Sequence, residues 1–343
     1  MKKVSMQTIA DSLGISKSLV SLTLNDKYGV SSELRYQIFK KALELGYDFN
    51  YNYNNKNTDH KKRICIFIDK KFAIMSKYFG KFLEGAEKIF IREGYKYQLI
   101  FWDESSTLQD VFEDIHLKEV KGYIILKTLK KEILDALRVI DKPIEFVDPN
   151  DYMGSEFTKI KMNNYQAGGL AVSYLYEKGH RNLAYVSERQ GLNYFGERFY
   201  GVKDVLEVIN RKHLGDPASI YYNLNGTSLE EDLKNIQELP ITPTAFICSS
   251  KKAAKHAISK LKDSDFFKDK NVSIVAIDGI DYIDESNEPI ITIKPSIVKI
   301  GEVAADTIIS DIKYFETTIK TILIDTKLYD GSSDTNLKKL LNI

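Results

Sequence analysis

The first 47 residues place their apolar positions at helical spacing. Ile9, Ala10 and Leu13 share one face of a helix that Ser5 is positioned to cap, and Gly14 breaks it. Ser16 then caps a second helix with Leu19, Val20, Thr23 and Leu24 on one side, followed by the turn-rich Asn25–Gly29. Ser31 or Ser32 caps a third helix carrying Leu34, Ile38, Phe39, Ala42 and Leu45, which Gly46 ends. The hinge between the first two helices, Ala10 to Gly14-Ile15 to Val20, matches a helix-turn-helix. Small Ala10 lets the helices approach, Gly14 permits the turn, and Ile15 and Val20 fill the space beneath.

Residues 48–63 are polar and asparagine-rich, a poor isolated helix, and read as a linker that is flexible without a partner. From Ile64 the pattern alternates strand and helix. The predicted strands are Ile64–Ile68, Tyr97–Phe101, Tyr123–Leu126 and Ile144–Val147, separated by helices Lys77–Arg92, Leu108–Leu117 and Leu129–Ile140. A second series follows: helix Tyr165–Lys178, strand Leu183–Val186, helix Phe199–Ile209, strand Ser219–Tyr222, helix Leu229–Leu239, strand Ala245–Cys248, helix Lys252–Leu261 and strand Ser273–Ile277. Such alternation predicts an α/β fold with two doubly wound, parallel-sheet subdomains, whose ligands bind at the carboxyl ends of strands. A last long helix, Ser296–Tyr314, has a stripe of Ile297, Ile300, Gly301, Ala304, Ala305, Ile308 and Ile312 that suits packing inside the chain or between subunits. The domain plan is therefore a helix-turn-helix head (1–47), a hinge (48–62) and a two-lobed core (63–343).

Composition adds an asymmetry. The net charge of +1 conceals eleven Lys/Arg and six Asp/Glu in residues 1–63, a basic head on a slightly acidic body. That imbalance suits a polyanionic partner for the head. Apolar runs are far shorter than the ~18 residues of a membrane span, and Val4 to Thr8 form no apolar signal core, so the expected location is the cytoplasm. Cys65 and Cys248 lie in strand-like apolar runs, where reduced, non-functional thiols are expected.

Signatures of enzymatic chemistry are missing. The chain has no Gly-x4-Gly-Lys-Ser/Thr loop, no Gly-x-Gly-x-x-Gly after its first strand and no Gly-x-Ser-x-Gly elbow. Its five histidines neither pair at i, i+4 nor adjoin a cysteine. No catalytic residue, metal or cofactor is expected, and the carboxylate pairs Asp103–Glu104 and Glu230–Glu231 read as solvated faces.

Residues 4–25 resemble the DNA-binding head of the lactose/galactose repressor (LacI/GalR) family. Ile9, Ala10, Gly14, Ser16, Val20, Ser21, Leu24 and Asn25 fit its pattern, as do Val30-Ser31, Arg35 and Leu45-Gly46-Tyr47. The resemblance continues through Gly122 to Leu126, Asn163-Asn164 with Gly168-Gly169, Gly179-His180-Arg181, Arg198 with Gly201, Pro243-Thr244-Ala245, Val275 to Asp278, and Thr292-Ile293. It implies a DNA-binding homodimer whose core, similar to periplasmic sugar-binding proteins, reports a small-molecule effector to the head.

On that resemblance the second helix enters the major groove. Lys17 and Ser18 face base edges, Lys2, Lys3, Ser16, Ser21, Asn25 and Arg35 are candidate phosphate contacts, and Ser5 is a further DNA-binding candidate. Leu22 replaces the family's arginine, which exchanges a base-reaching donor for an apolar contact and implies a shifted operator. The family's hinge leucine, which wedges into the minor groove, is replaced by Lys56, which implies either insertion of Tyr51 or Tyr53 instead or a hinge helix that forms weakly.

The effector residues implied are Arg198, Asp278 and Asp148 for hydroxyl groups, with Tyr78, Phe79, Tyr194 and Phe195 as apolar faces. Ser250-Lys251 replaces the family's Asn-Asp. Either Lys251 joins Arg198 in binding an anionic effector such as a sugar phosphate, or Ser249 and Ser250 simply cap the following helix. The function expected is a repressor of carbohydrate-use genes that binds operator DNA and a sugar or sugar phosphate. The alternative is a DNA-binding regulator whose core answers to a protein partner.

Overall fold

A computed structural model describes residues 4–24, 30–47, 62–75, 77–112, 120–139, 142–149, 156–187, 193–211, 217–222, 234–236, 238–262, 272–278, 291–315 and 318–329. The chain divides into two compact units. Unit 1 comprises Met1–Lys161 and Ser296–Leu323, and unit 2 comprises Met162–Pro295 and Ile324–Ile343.

The head is three helices, α1 (Met6–Leu13), α2 (Lys17–Leu24) and α3 (Ser32–Leu45). Ser5 and Thr8 form a reciprocal capping box on α1: Ser5 Oγ accepts from Thr8 N, and Thr8 Oγ1 accepts from Ser5 N. Gly14 ends α1 at φ 64, a left-handed conformation that favours glycine, and Ile15 N donates back to Ala10 O. Ser16 Oγ then accepts from Leu19 N at the start of α2. Ile9, Ala10, Val20, Thr23, Leu24, Ile38 and Ala42 are buried, so the expected hinge and core are both present.

The rest of unit 1 is a six-stranded sheet with β1 (Arg63–Asp69), β2 (Lys96–Trp102), β3 (Val120–Leu126), β4 (Ile144–Val147), β5 (Thr158–Met162) and β11 (Thr321–Ile324), in the order β2-β1-β3-β4-β5-β11. The pairings β1–β2, β1–β3, β3–β4 and β4–β5 are parallel. Ile64 to Ile68 are all buried, the continuous apolar run of a parallel strand covered on both faces. One face packs on α6 (Leu108–Phe112) and α7 (Lys131–Val139) through Val111, Ile133, Leu134 and Leu137. The helices α5 (Tyr78–Arg92) and α11 (Ile297–Tyr314) pair with one another, and α11 also packs on β3 and β4. They approach through glycine: a Cβ on Gly85 would lie 1.9 Å from Val298 O, and one on Gly301 2.1 Å from Phe82 O. The middle of the stripe on α11, Ile300 to Ile308, is therefore buried inside the chain, and Ile297 and Ile312 at its ends are half-buried.

Unit 2 repeats the plan. Its sheet runs β7-β6-β8-β9-β10-β12, with β6 (Asn182–Val186), β7 (Ser219–Tyr222), β8 (Ala245–Cys248), β9 (Ser273–Ile277), β10 (Ile291–Pro295) and an antiparallel β12 (Thr326–Tyr329). Leu183, Tyr185, Ile247, Val275 and Ile277 face α8 (Asn164–Glu177) and α9 (Asn193–Arg211). The alternate residues Ala184, Val186, Phe246, Cys248 and Ala276 face Ala253, Ala254 and Ala257 of α10 (Lys251–Lys262).

Strands 144–147, 219–222, 245–248 and 273–277 match the sequence expectation residue for residue. Missing from it were α4 (Lys70–Met75), β5, β10, β11 and β12. In β5 the alternation of Thr158, Ile160 and Met162 with Lys159 and Lys161 marks a strand near the sheet edge, too short and polar to stand out. Of the helix expected over 229–239, residues 234–236 are helical, 238–239 are described and not helical, and the rest lie outside the described residues; the expected helix 108–117 is described only to Phe112. The hinge, residues 48–61, lies outside the described residues. Both cysteines are buried, which pushes their thiols up to about 12 and leaves them inert.

One core position breaks the apolar pattern. Glu145 on β4 is fully buried, and neither carboxyl oxygen has a hydrogen-bond partner. Burial raises its pKa well above the usual carboxylate range; nearby Asp311 adds to the rise, and Lys320 opposes it. The folded chain thus holds a proton that the unfolded chain releases above about pH 4.3. Stability from this group is present below that pH and is lost as pH rises. Glu145→Gln, neutral at every pH, is expected to stabilise the protein by about 1–2 kcal/mol at pH 8. The gain should shrink to nothing near pH 4; urea unfolding at both pH values checks it.

Candidate nucleic-acid interface and effector-binding residues

In the head, α2 buries Val20, Thr23 and Leu24 and turns the opposite face outward. Lys17 and Ser18 are exposed, and Ser21 and Leu22 are half-buried, so positions 17, 18, 21 and 22 share one side of the helix. That is the side expected to meet bases. Ser5 and Ser16 are exposed and already engaged as caps, which orients the N-termini of α1 and α2. A helix N-terminus presents backbone N–H groups suited to a phosphate. Arg35 lies on α3. Asn25 and Tyr53 lie outside the described residues.

In unit 1 the expected effector residues gather after the strands. Asp148 directly follows β4, and the Tyr78 hydroxyl donates to its Oδ2 at 2.5 Å. Lys127, directly after β3, places Nζ 3.4 Å from the same oxygen. Lys127 and Asp148 both adopt left-handed backbone, at φ 68 and φ 46, a conformation that non-glycine residues adopt uncommonly. Phe79 differs from expectation. It is wholly buried and stacks edge-on against Phe101. A helix turns Tyr78 and Phe79 about 100° apart, so Tyr78 faces the strand ends while Phe79 enters the core.

In unit 2 Arg198 on α9 is only 2% exposed, and it is held from several sides. Nε donates to Asn164 Oδ1 at 2.9 Å, a terminal nitrogen donates to the Ser249 carbonyl, and Nη2 lies 3.5 Å from Asp278 Oδ2. The guanidinium also lies 5.0 Å from the Tyr194 ring and 5.9 Å from that of Phe195. Phe195 is 7% exposed, so it braces the guanidinium and offers little open surface. Asp278 follows β9 at φ 68 with its side chain about half exposed, presenting its carboxylate outward. Unit 2 therefore brings Arg198, Tyr194, Phe195 and Asp278 together.

Ser250 Oγ accepts from Ala253 N and caps α10, while Ser249 is buried and Lys251 half-buried. Sequence reasoning missed Lys127 and the role of Asn164. Lysine carries no signal for a left-handed position. Asn164 was visible only as part of a motif; it accepts from Arg198 and donates to Glu197 Oε2 and the Met162 carbonyl.

Comparison with known proteins agrees with this architecture. Residues 172–333 match the family described as periplasmic binding protein-like domain. The HTH-type transcriptional repressor PurR of Actinobacillus pleuropneumoniae is 22% identical over 340 residues, covering 97% of this chain and 99% of that protein. Two solved structures share the fold. The transcriptional regulator CelR–cellobiose complex has a TM-score of 0.59 at 17% identity, and the lac repressor dimer bound to operator and the anti-inducer ONPF has 0.54 at 18%. Each alignment covers 95% of this chain and 98% of the other. The chain is thus similar from end to end to a transcriptional repressor of the helix-turn-helix type, and it shares the fold of two doubly wound units with the two solved regulators.

Proposed function

We propose that the chain is a repressor that binds an inverted-repeat operator as a homodimer and is controlled by a small-molecule effector of the sugar class. The observation that carries the DNA-binding part is the outward face of α2, with Lys17, Ser18, Ser21 and Leu22 on one side of a sealed three-helix head. A two-fold dimer presents two such faces, which matches a palindromic site. The effector part rests on Asp278 with buried Arg198 in one unit and Asp148 with Tyr78 in the other. Acceptor carboxylates fixed beside aromatic rings suit hydroxyl-rich ligands, and the CelR relative was solved with cellobiose. Effector binding shifts the population between states that hold the two heads at different spacings.

Selection from random duplex DNA with the full chain tests this. An inverted repeat should be enriched. Lys17→Ala should weaken binding to the selected site about tenfold, the loss expected for one base-reading side chain. Absence of any selected sequence would overturn the DNA-binding reading. For the effector, thermal unfolding against neutral sugars and sugar phosphates should show a shift that Asp278→Asn removes. A response that survives both Asp278→Asn and Asp148→Asn would place the effector elsewhere. No response at all would favour a core that answers to a protein partner.

A further inference from the structure

The ammonium of Lys127 is enclosed in a manner that ordinary surface lysines are not. Its Nζ lies 4.8 Å from the Tyr78 ring centroid and 5.9 Å from that of Phe72, and 3.4 Å from Asp148 Oδ2. The two rings are tilted against each other at 5.7 Å, and the Tyr78 hydroxyl donates to the same carboxylate oxygen that Lys127 approaches. Two aromatic faces and a carboxylate around one cation form the type of cage that recognises ammonium ligands. The cage is built on a constrained backbone. Lys127 N donates to Val147 O and Asp148 N to Ile160 O, each at 2.8 Å, and both residues hold left-handed φ values. All four residues belong to unit 1.

We propose that Phe72, Tyr78 and Asp148 form an alkylammonium site that the chain fills with its own Lys127, making Lys127 a specificity-determining residue. With the internal cation in place, a ligand bearing its own ammonium has no vacant cage. A ligand anion meets a lysine whose charge Asp148 already balances. What remains favourable is an uncharged, hydroxyl-rich ligand that exchanges hydrogen bonds with the Lys127–Asp148 pair. This exclusion rests on the reading that Asp148 and Tyr78 meet the effector; the cage itself does not.

Removing the lysine side chain tests the cage without knowledge of the effector. Lys127→Gly suits φ 68 and should fold; Lys127→Asn, which also tolerates that conformation, is the second variant. The probe is n-butylammonium chloride, the severed side chain, titrated by calorimetry against a sodium chloride control. Lys127→Gly should bind it saturably, at least about tenfold tighter than wild type. Adding Asp148→Asn should abolish that binding. Wild type binding as tightly as Lys127→Gly would overturn the proposal, as would folded Lys127→Gly and Lys127→Asn that both fail to bind. Binding unaffected by Asp148→Asn would also overturn it. Because no sugar or DNA enters this experiment, its failure is separate from failure of the effector reading.

Discussion

Gly201→Ala should unfold unit 2 or cost it at least about 3 kcal/mol, while Gly196→Ala, five residues earlier on the same helix, should be neutral or slightly stabilising. Helices α8 and α9 pack backbone to backbone. A Cβ on Gly201 would lie 1.9 Å from Tyr165 O and 2.8 Å from its carbonyl carbon, and one on Gly168 would lie 2.0 Å from Arg198 O. No rotamer change relieves a clash between a Cβ and a main-chain carbonyl, so the helices must separate. Separation opens the layer that holds Ala167, Ala171, Val202 and Leu206 against the sheet. At Gly196 the nearest atom is the ring edge of Tyr200 at 4.0 Å. There alanine only restricts the unfolded chain and raises helix propensity, by roughly 0.5–1 kcal/mol at most. Urea unfolding followed by circular dichroism separates the two outcomes. Equal midpoints for the two variants would refute the close-packing argument.

The second large effect is expected at Arg198. Arg198→Met keeps much of the side-chain volume but removes every donor. Asn164 Oδ1 and the Ser249 carbonyl then lose charge-assisted bonds, and Asp278 loses its cation. Each buried acceptor left unpaired costs about 1–3 kcal/mol, so a loss of roughly 2–4 kcal/mol is expected. Arg198→Lys should recover little of it, because one ammonium cannot reproduce the planar fork that meets three partners. The pair with Asp278 contributes less than the buried bonds to Asn164 and Ser249, since that carboxylate is half solvated. Asp278→Asn should therefore leave stability nearly unchanged while removing the effector response. That split, a stability loss for Arg198 and a response loss for Asp278, is the signature of a buried positioning group behind an exposed contact. Thermal unfolding of both variants with and without the active sugar measures it. If Asp278→Asn destabilises as much as Arg198→Met, the ion pair is the main term and the assignment of roles is wrong.

Much of this protein was readable from local pattern. The capped helices of the head depend on residues within one turn of each other: Ser5 with Thr8, Gly14 with Ala10, Ser16 with Leu19. The buried strands are apolar on both faces, so their limits show in the sequence even before pairing is known. Arg198, Asp278, Asp148 and Tyr78 were found through motif resemblance, and the fold sets each pair in contact within its own unit. Phe79 and Tyr78 were indistinguishable as neighbouring aromatics until helix rotation sent one inward.

Tertiary structure alone decided the rest. The stripe on α11 suited two destinations, and only the fold shows that the chain returns to unit 1 after 134 residues of unit 2 and meets Gly85. Strands β11 and β12 are mostly half-buried or exposed, unlike the buried β4 and β8 of the same length, and are specified by the sheet edges they join. Lys127 looks like any lysine in sequence. Its enclosure depends on Phe72 and Tyr78 from the two helices after β1 meeting Asp148 from the end of β4. Hydrogen-bonded caps and apolar periodicity are local and survive in the sequence as pattern. Helix partners, sheet edges and ion cages arise between residues far apart along the chain, so no window of sequence contains them.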